Sequence, residues 1–115
     1  GDQAMEILHN ELKRCDVIKI TGRVDSATAP KFAEIANEIV EAGRFRIVVD
    51  MDGVDFISSA GLRVLIGTQK VCRRYNRGEV VLANVPTTIM ASLELAGFTP
   101  LFKIFDDAVA AVGNF

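Results

Sequence analysis

The chain has 115 residues, half of them hydrophobic and 24% charged, the balance of a single soluble globular domain over 1–115 rather than of a disordered segment. Thirteen Lys and Arg against fifteen Asp and Glu leave a net charge of −2, which excludes the basic footprint of a protein that lives on nucleic-acid phosphates. No apolar run approaches the roughly 18–20 residues that span a bilayer, and residues 1–4 are too short and polar for a secretory signal.

The pattern then alternates strands and helices. Residues 5–13 begin with apolar and polar positions in alternation, as an edge strand does. Cys15-Asp16 is a turn, and residues 17–21 (Val-Ile-Lys-Ile-Thr) form a second, β-branched strand, so the two make a hairpin. A helix follows. Thr28 or Ser26 can cap it, Pro30 sits in its first turn, and Phe32, Ile35, Ala36, Ile39 and Val40 recur at helical spacing. Gly43 stops it. Residues 46–50 (Arg-Ile-Val-Val-Asp) are a short apolar run suited to a strand covered on both faces. A loop over 51–57 leads to a long helix over about 60–77, stopped by Gly78. Residues 79–83 form another buried strand, broken by Asn84-Val85-Pro86. Thr87 or Thr88 can cap a short helix carrying Ile89, Met90 and Leu93. Pro100 precedes a last strand over 101–105, and Asp106 can cap a final helix through Val112. The order is β-β-α-β-α-β-α-β-α, an α/β domain whose strands after the hairpin are joined by helical crossovers and so are largely parallel.

The inventory for catalysis is thin. Cys15 and Cys72 form no ligand spacing, and His9 is the one histidine. Neither a zinc site nor a Ser-His-Asp triad can be assembled from these residues, and no Gly-x-Ser-x-Gly elbow is present. Cys72 falls on an apolar stripe and reads as an inert buried thiol. The expected setting is a reducing cytoplasm, with no metal, no cofactor and no catalytic residue. Lys70, Arg73, Arg74 and Arg77 cluster in one helix, where the favourable interaction of cations with a helix C-terminus is the simpler reading.

The segment from Asp50 to Arg63, DMDGVDFISSAGLR, is the most informative. A buried strand exits, turns through Asp52-Gly53, and two serines stand just before the long helix. Ser59 is the favoured N-cap, with Ser58 one residue farther out. Gly61 lowers helix stability by about 1 kcal/mol relative to Ala and lets another molecule's backbone or phosphate come close.

Phe56-Ile57-Ser58-Ser59-Ala60-Gly61-Leu62-Arg63 resembles the phosphorylation-site segment of STAS-domain anti-sigma factor antagonists. Ile20-Thr21-Gly22-Arg23-Val24-Asp25, Ile47-Val48-Val49-Asp50-Met51 and the stretch Leu95-Ala96-Gly97-Phe98 through Ile104 resemble three further motifs of that family, in order and spacing. The resemblance implies a mixed sheet packed with four helices. It also implies a bacterial partner-switching protein. The unphosphorylated form binds an anti-sigma factor with serine kinase activity and so frees a sigma factor; phosphorylation ends the complex and a phosphoserine phosphatase resets it. No direct role on nucleic acid or membrane is implied. Carried over by position, Ser59 is the phosphoacceptor and Ser58, which stands where the family often has Asp, is second choice. Asp25, Ser58, Ala60, Gly61 and Arg63 fall on the partner surface, although Asp25 equally reads as a cap for the turn that follows it. The alternative is a non-switching STAS scaffold or a regulatory module of a transport system, in which Ser59 is only a helix cap.

Overall fold

Alternation of apolar and polar residues brings the first two strands together. β1 (Met5–Glu11) and β2 (Asp16–Val24) pair antiparallel, with Ile7 opposite Ile20 and His9 opposite Ile18. β3 (Arg46–Ile57), β4 (Glu79–Ala83) and β5 (Ile104–Phe105) then add in parallel, so the sheet runs β1-β2-β3-β4-β5 and is mixed only at the first pair. This computed structural model describes residues 5–115; residues 1–4, read above as unlike a secretory signal, lie outside the described residues.

Successive strand residues point to opposite faces, and both faces are covered. On one, Ile18, Ile20, Ile47, Val49, Val80 and Leu82 pack with residues of α1 (Ala29–Glu41), α2 (Ser59–Arg73) and α3 (Thr87–Leu95). On the other, Val48, Val81 and Ala83 meet Cys15 and Ala111 of the short α4 (Ala108–Gly113). The expected order of five strands and four helices is the observed one. The helices form for the reasons their patterns give: α1 carries Pro at its start and buries Phe32, Ala36 and Ile39 along one stripe, and α2 buries Gly61, Leu65, Gln69 and Cys72. Each fully buried Phe, Leu or Ile in this core contributes about 1.5–3 kcal/mol.

Several boundaries differ from expectation. Residues 51–57 are not a loop but the second half of β3, because Met51, Val54 and Ile57 are buried while the pairing with β2 shifts register twice. Burial at every third residue hides a strand from a search for alternation. The long helix ends at Arg73 rather than 77; a 3-10 turn over Arg74–Asn76 follows, in which Tyr75 and Asn76 take positive φ. The strand expected over 101–105 divides into a 3-10 turn, Thr99–Leu101, and the two residues of β5. β1 stops at Glu11. Asp107, not Asp106, caps α4, accepting from the Ala110 amide at 2.8 Å. Neither Thr87 nor Thr88 caps α3, whose N-cap is Pro86.

Three polar residues enter the core, each with partners. Gln69 Oε1 accepts from the Val80 amide at 2.6 Å, while Nε2 donates to the carbonyls of Val80 (3.0 Å) and Leu101 (2.8 Å). Asp50 accepts from Asn84 Nδ2 at 3.0 Å and from the Asp52 amide at 3.1 Å. Asp16 is held by Arg44 Nε and by His9 Nε2, a contact the lone histidine gave no sign of in the sequence. Among the described residues no buried side-chain N or O lacks a partner, as expected where desolvation of an unpaired group costs about 1–3 kcal/mol.

Candidate functional site

β2 and β3 stay paired to their ends, with Arg23 opposite Phe56 and Val24 opposite Ile57. One residue farther on, the Ser58 amide still donates to the Val24 carbonyl at 2.8 Å. Asp25 and Ser58 therefore leave the sheet beside one another. Ser58 keeps an extended backbone and is the N-cap of α2, its Oγ accepting from the Ala60 amide at 3.2 Å. The first helical hydrogen bond runs from the Leu62 amide to the Ser58 carbonyl at 3.0 Å. This corrects the expectation that Ser59 caps the helix. Ser59 is the first helical residue, it is exposed, and its hydroxyl makes no hydrogen bond among the described residues.

Gly61 is also placed otherwise than expected. It is buried, and a Cβ there would lie 2.7 Å from Ile57 Cγ1 and 2.8 Å from Val24 Cγ1. Its Cβ position faces the strand ends, and its smallness lets the first turn of α2 sit against them. Arg63 is exposed, while Ala60 is half-buried against the core; both line a shallow groove between α1 and α2 with Ala33 and Asn37. Arg63 is four residues after Ser59, one turn along the same face.

Asp25 organises the entry to α1. Its Oδ1 accepts from the amides of Ala27 (3.0 Å) and Thr28 (3.2 Å), and Thr28 Oγ1 accepts in return from the Asp25 amide at 2.9 Å. This reciprocal pair works as a capping box does: Thr28 holds the N-cap position of α1, one of the two residues expected there, but its side chain caps no helical amide and the Asp25 carboxylate takes the turn's amides instead. Partial desolvation pushes the Asp25 carboxyl up, but the Thr28 and Ala27 amides, the Thr28 hydroxyl and Arg23 outweigh it and hold the group below the usual carboxylate range. Arg23 lies 4.2 Å from the centroid of the Phe56 ring. This exposed stacked pair at the strand ends was missed by sequence reasoning; Phe56 in a stretch without alternation was the one available signal.

The arrangement offers a hydroxyl with no hydrogen-bonded side chain beside it among the described residues. The chain's one histidine is at the other end of β2, bonded to Asp16 at 2.6 Å. Cys15 and Cys72 are buried free thiols, and burial pushes the Cys72 thiol up to about 11. No described group of three or more His, Cys, Asp or Glu side chains has the arrangement to hold a metal, and no described helix is long and apolar enough to cross a membrane. Amides do gather at Ser59: those of Ser59 and Gly61 precede the first helical hydrogen bond, where an anion is favoured.

Residues 7–111 match the model of the STAS domain. The chain is 36% identical over 97 residues to BtrV of Bordetella bronchiseptica, a proposed anti-sigma factor antagonist, covering 84% of this chain and 82% of that one. The crystal structure of an anti-sigma factor antagonist from Mycobacterium paratuberculosis superposes with a TM-score of 0.85 at 19% identity, over 96% of this chain and 92% of the other. The Bacillus anti-sigma factor antagonist SpoIIAA in its unphosphorylated form gives 0.81 at 16% identity, over 95% of each chain, and in its phosphorylated form 0.76 at 15%, over 95% and 98%. At these identities the structures speak to the fold, while the family model and the BtrV match carry the assignment: the chain belongs to the STAS-domain family, among relatives that are anti-sigma factor antagonists.

Proposed function

We propose that this domain is an anti-sigma factor antagonist switched by phosphorylation of Ser59. Unphosphorylated, it binds an anti-sigma factor with serine kinase activity in the bacterial cytoplasm and so frees a sigma factor. The kinase transfers the γ-phosphoryl group of ATP to Ser59 Oγ, the hydroxyl proton leaves, and the complex comes apart; a phosphoserine phosphatase resets the switch. In this reading the domain catalyses nothing itself and touches neither nucleic acid nor membrane.

One observation carries the proposal. Two serines stand at the start of α2, and the cap falls to Ser58, leaving the Ser59 hydroxyl exposed and uncommitted. A phosphate there adds about −1.5 to −2 charges. Within the free domain the amides of the first helical turn and Arg63 one turn along tolerate it. Against a docked partner the same group is desolvated beside Asp25, and a loss of about 3 kcal/mol in binding is already more than a hundredfold.

The test is incubation with ATP and a serine-kinase anti-sigma factor encoded by a neighbouring gene, with phosphate mapped by mass spectrometry. Phosphate on Ser59, absent from Ser59→Ala, is expected. Phosphate on Ser58 alone overturns the site; phosphate on neither residue leaves a STAS scaffold without a switch.

A further inference from the structure

The molecule carries a cationic hollow at the end remote from Ser59. β2, β3 and β4 all begin there, at Asp16, Arg46 and Glu79, and the 12-residue β3 separates it from the start of α2, up to about 36 Å at 3.3 Å per residue. Its walls include Lys13, Arg14, Arg44, Arg46 and Arg77, with Asp16 as the one carboxylate. Asp16 is buried and fully engaged: Arg44 Nε holds Oδ1 at 2.5 Å and His9 Nε2 holds Oδ2 at 2.6 Å. Lys13, Arg14, Arg46 and Arg77 have no carboxylate partner among the described residues.

Two of the arginines are fixed in place. Arg44 Nη2 also donates to the carbonyls of Leu12 and Cys15. Arg77 lies 3.8 Å from the centroid of the Phe45 ring and donates to the carbonyls of Val71 (2.6 Å) and Arg74 (3.0 Å). Arg77 thus supports the end of α2, as the sequence reading of that basic cluster expects, and its guanidinium is held in the wall of the hollow as well. Arg46 and Arg77 are shared with an adjoining hollow, where Arg73 and Lys103 are already paired with Glu79. Four cations with no carboxylate partner, gathered in a concavity around a fixed guanidinium, favour an anion with several acceptor oxygens among them. A flat membrane surface does not enter such a concavity, and a nucleic acid duplex asks for a long basic stripe that this acidic chain lacks.

We infer that this hollow binds the phosphate groups of a small ligand, with the exposed Lys13, Arg14 and Arg46 as contacts beside the hydrogen-bonded Arg77. The test is calorimetric titration of the whole chain with inorganic pyrophosphate at low salt. One saturable site is expected, weakening as salt rises. The double variant Arg14→Gln/Arg46→Gln should weaken it about tenfold or more, whereas Lys31→Gln, remote on α1, should leave it unchanged. The inference is overturned if no saturable binding appears, if the double variant binds as the parent does, or if Lys31→Gln weakens binding equally. Capture by duplex DNA or by vesicles of anionic lipid, without pyrophosphate binding, overturns it too.

Discussion

The amide of Ser58 is still bonded to Val24 as a strand residue's would be, yet Ser58 is already the N-cap, so α2 begins one residue earlier than a cap at Ser59 predicts. Either serine could cap on sequence grounds, and only the end of the β2–β3 ladder decides between them; that non-local fact is absent from the local pattern. The two substitutions should separate accordingly. Ser58→Ala should lower stability by about 1 kcal/mol, the worth of an N-cap, while Ser59→Ala should stay within about 0.5 kcal/mol of the parent; urea unfolding measures both. Asp25 was legible as a turn or cap residue from its chemistry alone. Its carboxyl is held below the usual range in the folded state, so the stability it contributes is present above its unfolded value and fades as pH falls through the folded one. Asp25→Asn should therefore flatten the acid limb of the pH–stability curve below about pH 4, with melting temperatures across that range as the measure.

At the scale of elements, periodicity served the helices and failed at β3. α1 shows its stripe openly, whereas the second half of β3 buries Met51, Val54 and Ile57, a spacing produced by register shifts against β2 that no window of sequence reveals. The end of α2 was equally hidden, since the positive φ angles fall on Tyr75 and Asn76 rather than on a glycine. Gly61 carries the sharpest test of how α2 meets the sheet. Alanine is the better helix former by about 1 kcal/mol, so propensity alone predicts that Gly61→Ala stabilises. The close contacts with Ile57 and Val24 predict the reverse, a net loss of about 1–3 kcal/mol from overpacking, read as a lower urea midpoint.

Over the whole molecule, the order of elements and the parallel sheet were plain in the sequence, because strands and helices alternate with clear stop signals. What was not plain is how charge is distributed. The Asp16–Arg44–His9 cluster joins residues far apart in the chain and marks an end of the sheet that composition averages away. The core keeps both thiols neutral at physiological pH. The folded pKa of Cys72 is raised to about 11, so its contribution is intact below the ordinary thiol range and is lost as pH rises through that range toward 11. Neither cysteine should react with iodoacetamide in the native state at pH 8, and both should react in urea; mass spectrometry of the alkylated chain checks this.

The switch itself requires that a charge at Ser59 disturb the complex and not the fold. The most direct measurement is calorimetric binding of the serine-kinase anti-sigma factor to the parent chain and to Ser59→Asp, with circular dichroism on both. Unchanged spectra with affinity lowered about a hundredfold or more are the predicted result. Equal affinity for the two chains, or an unfolded Ser59→Asp, would contradict it.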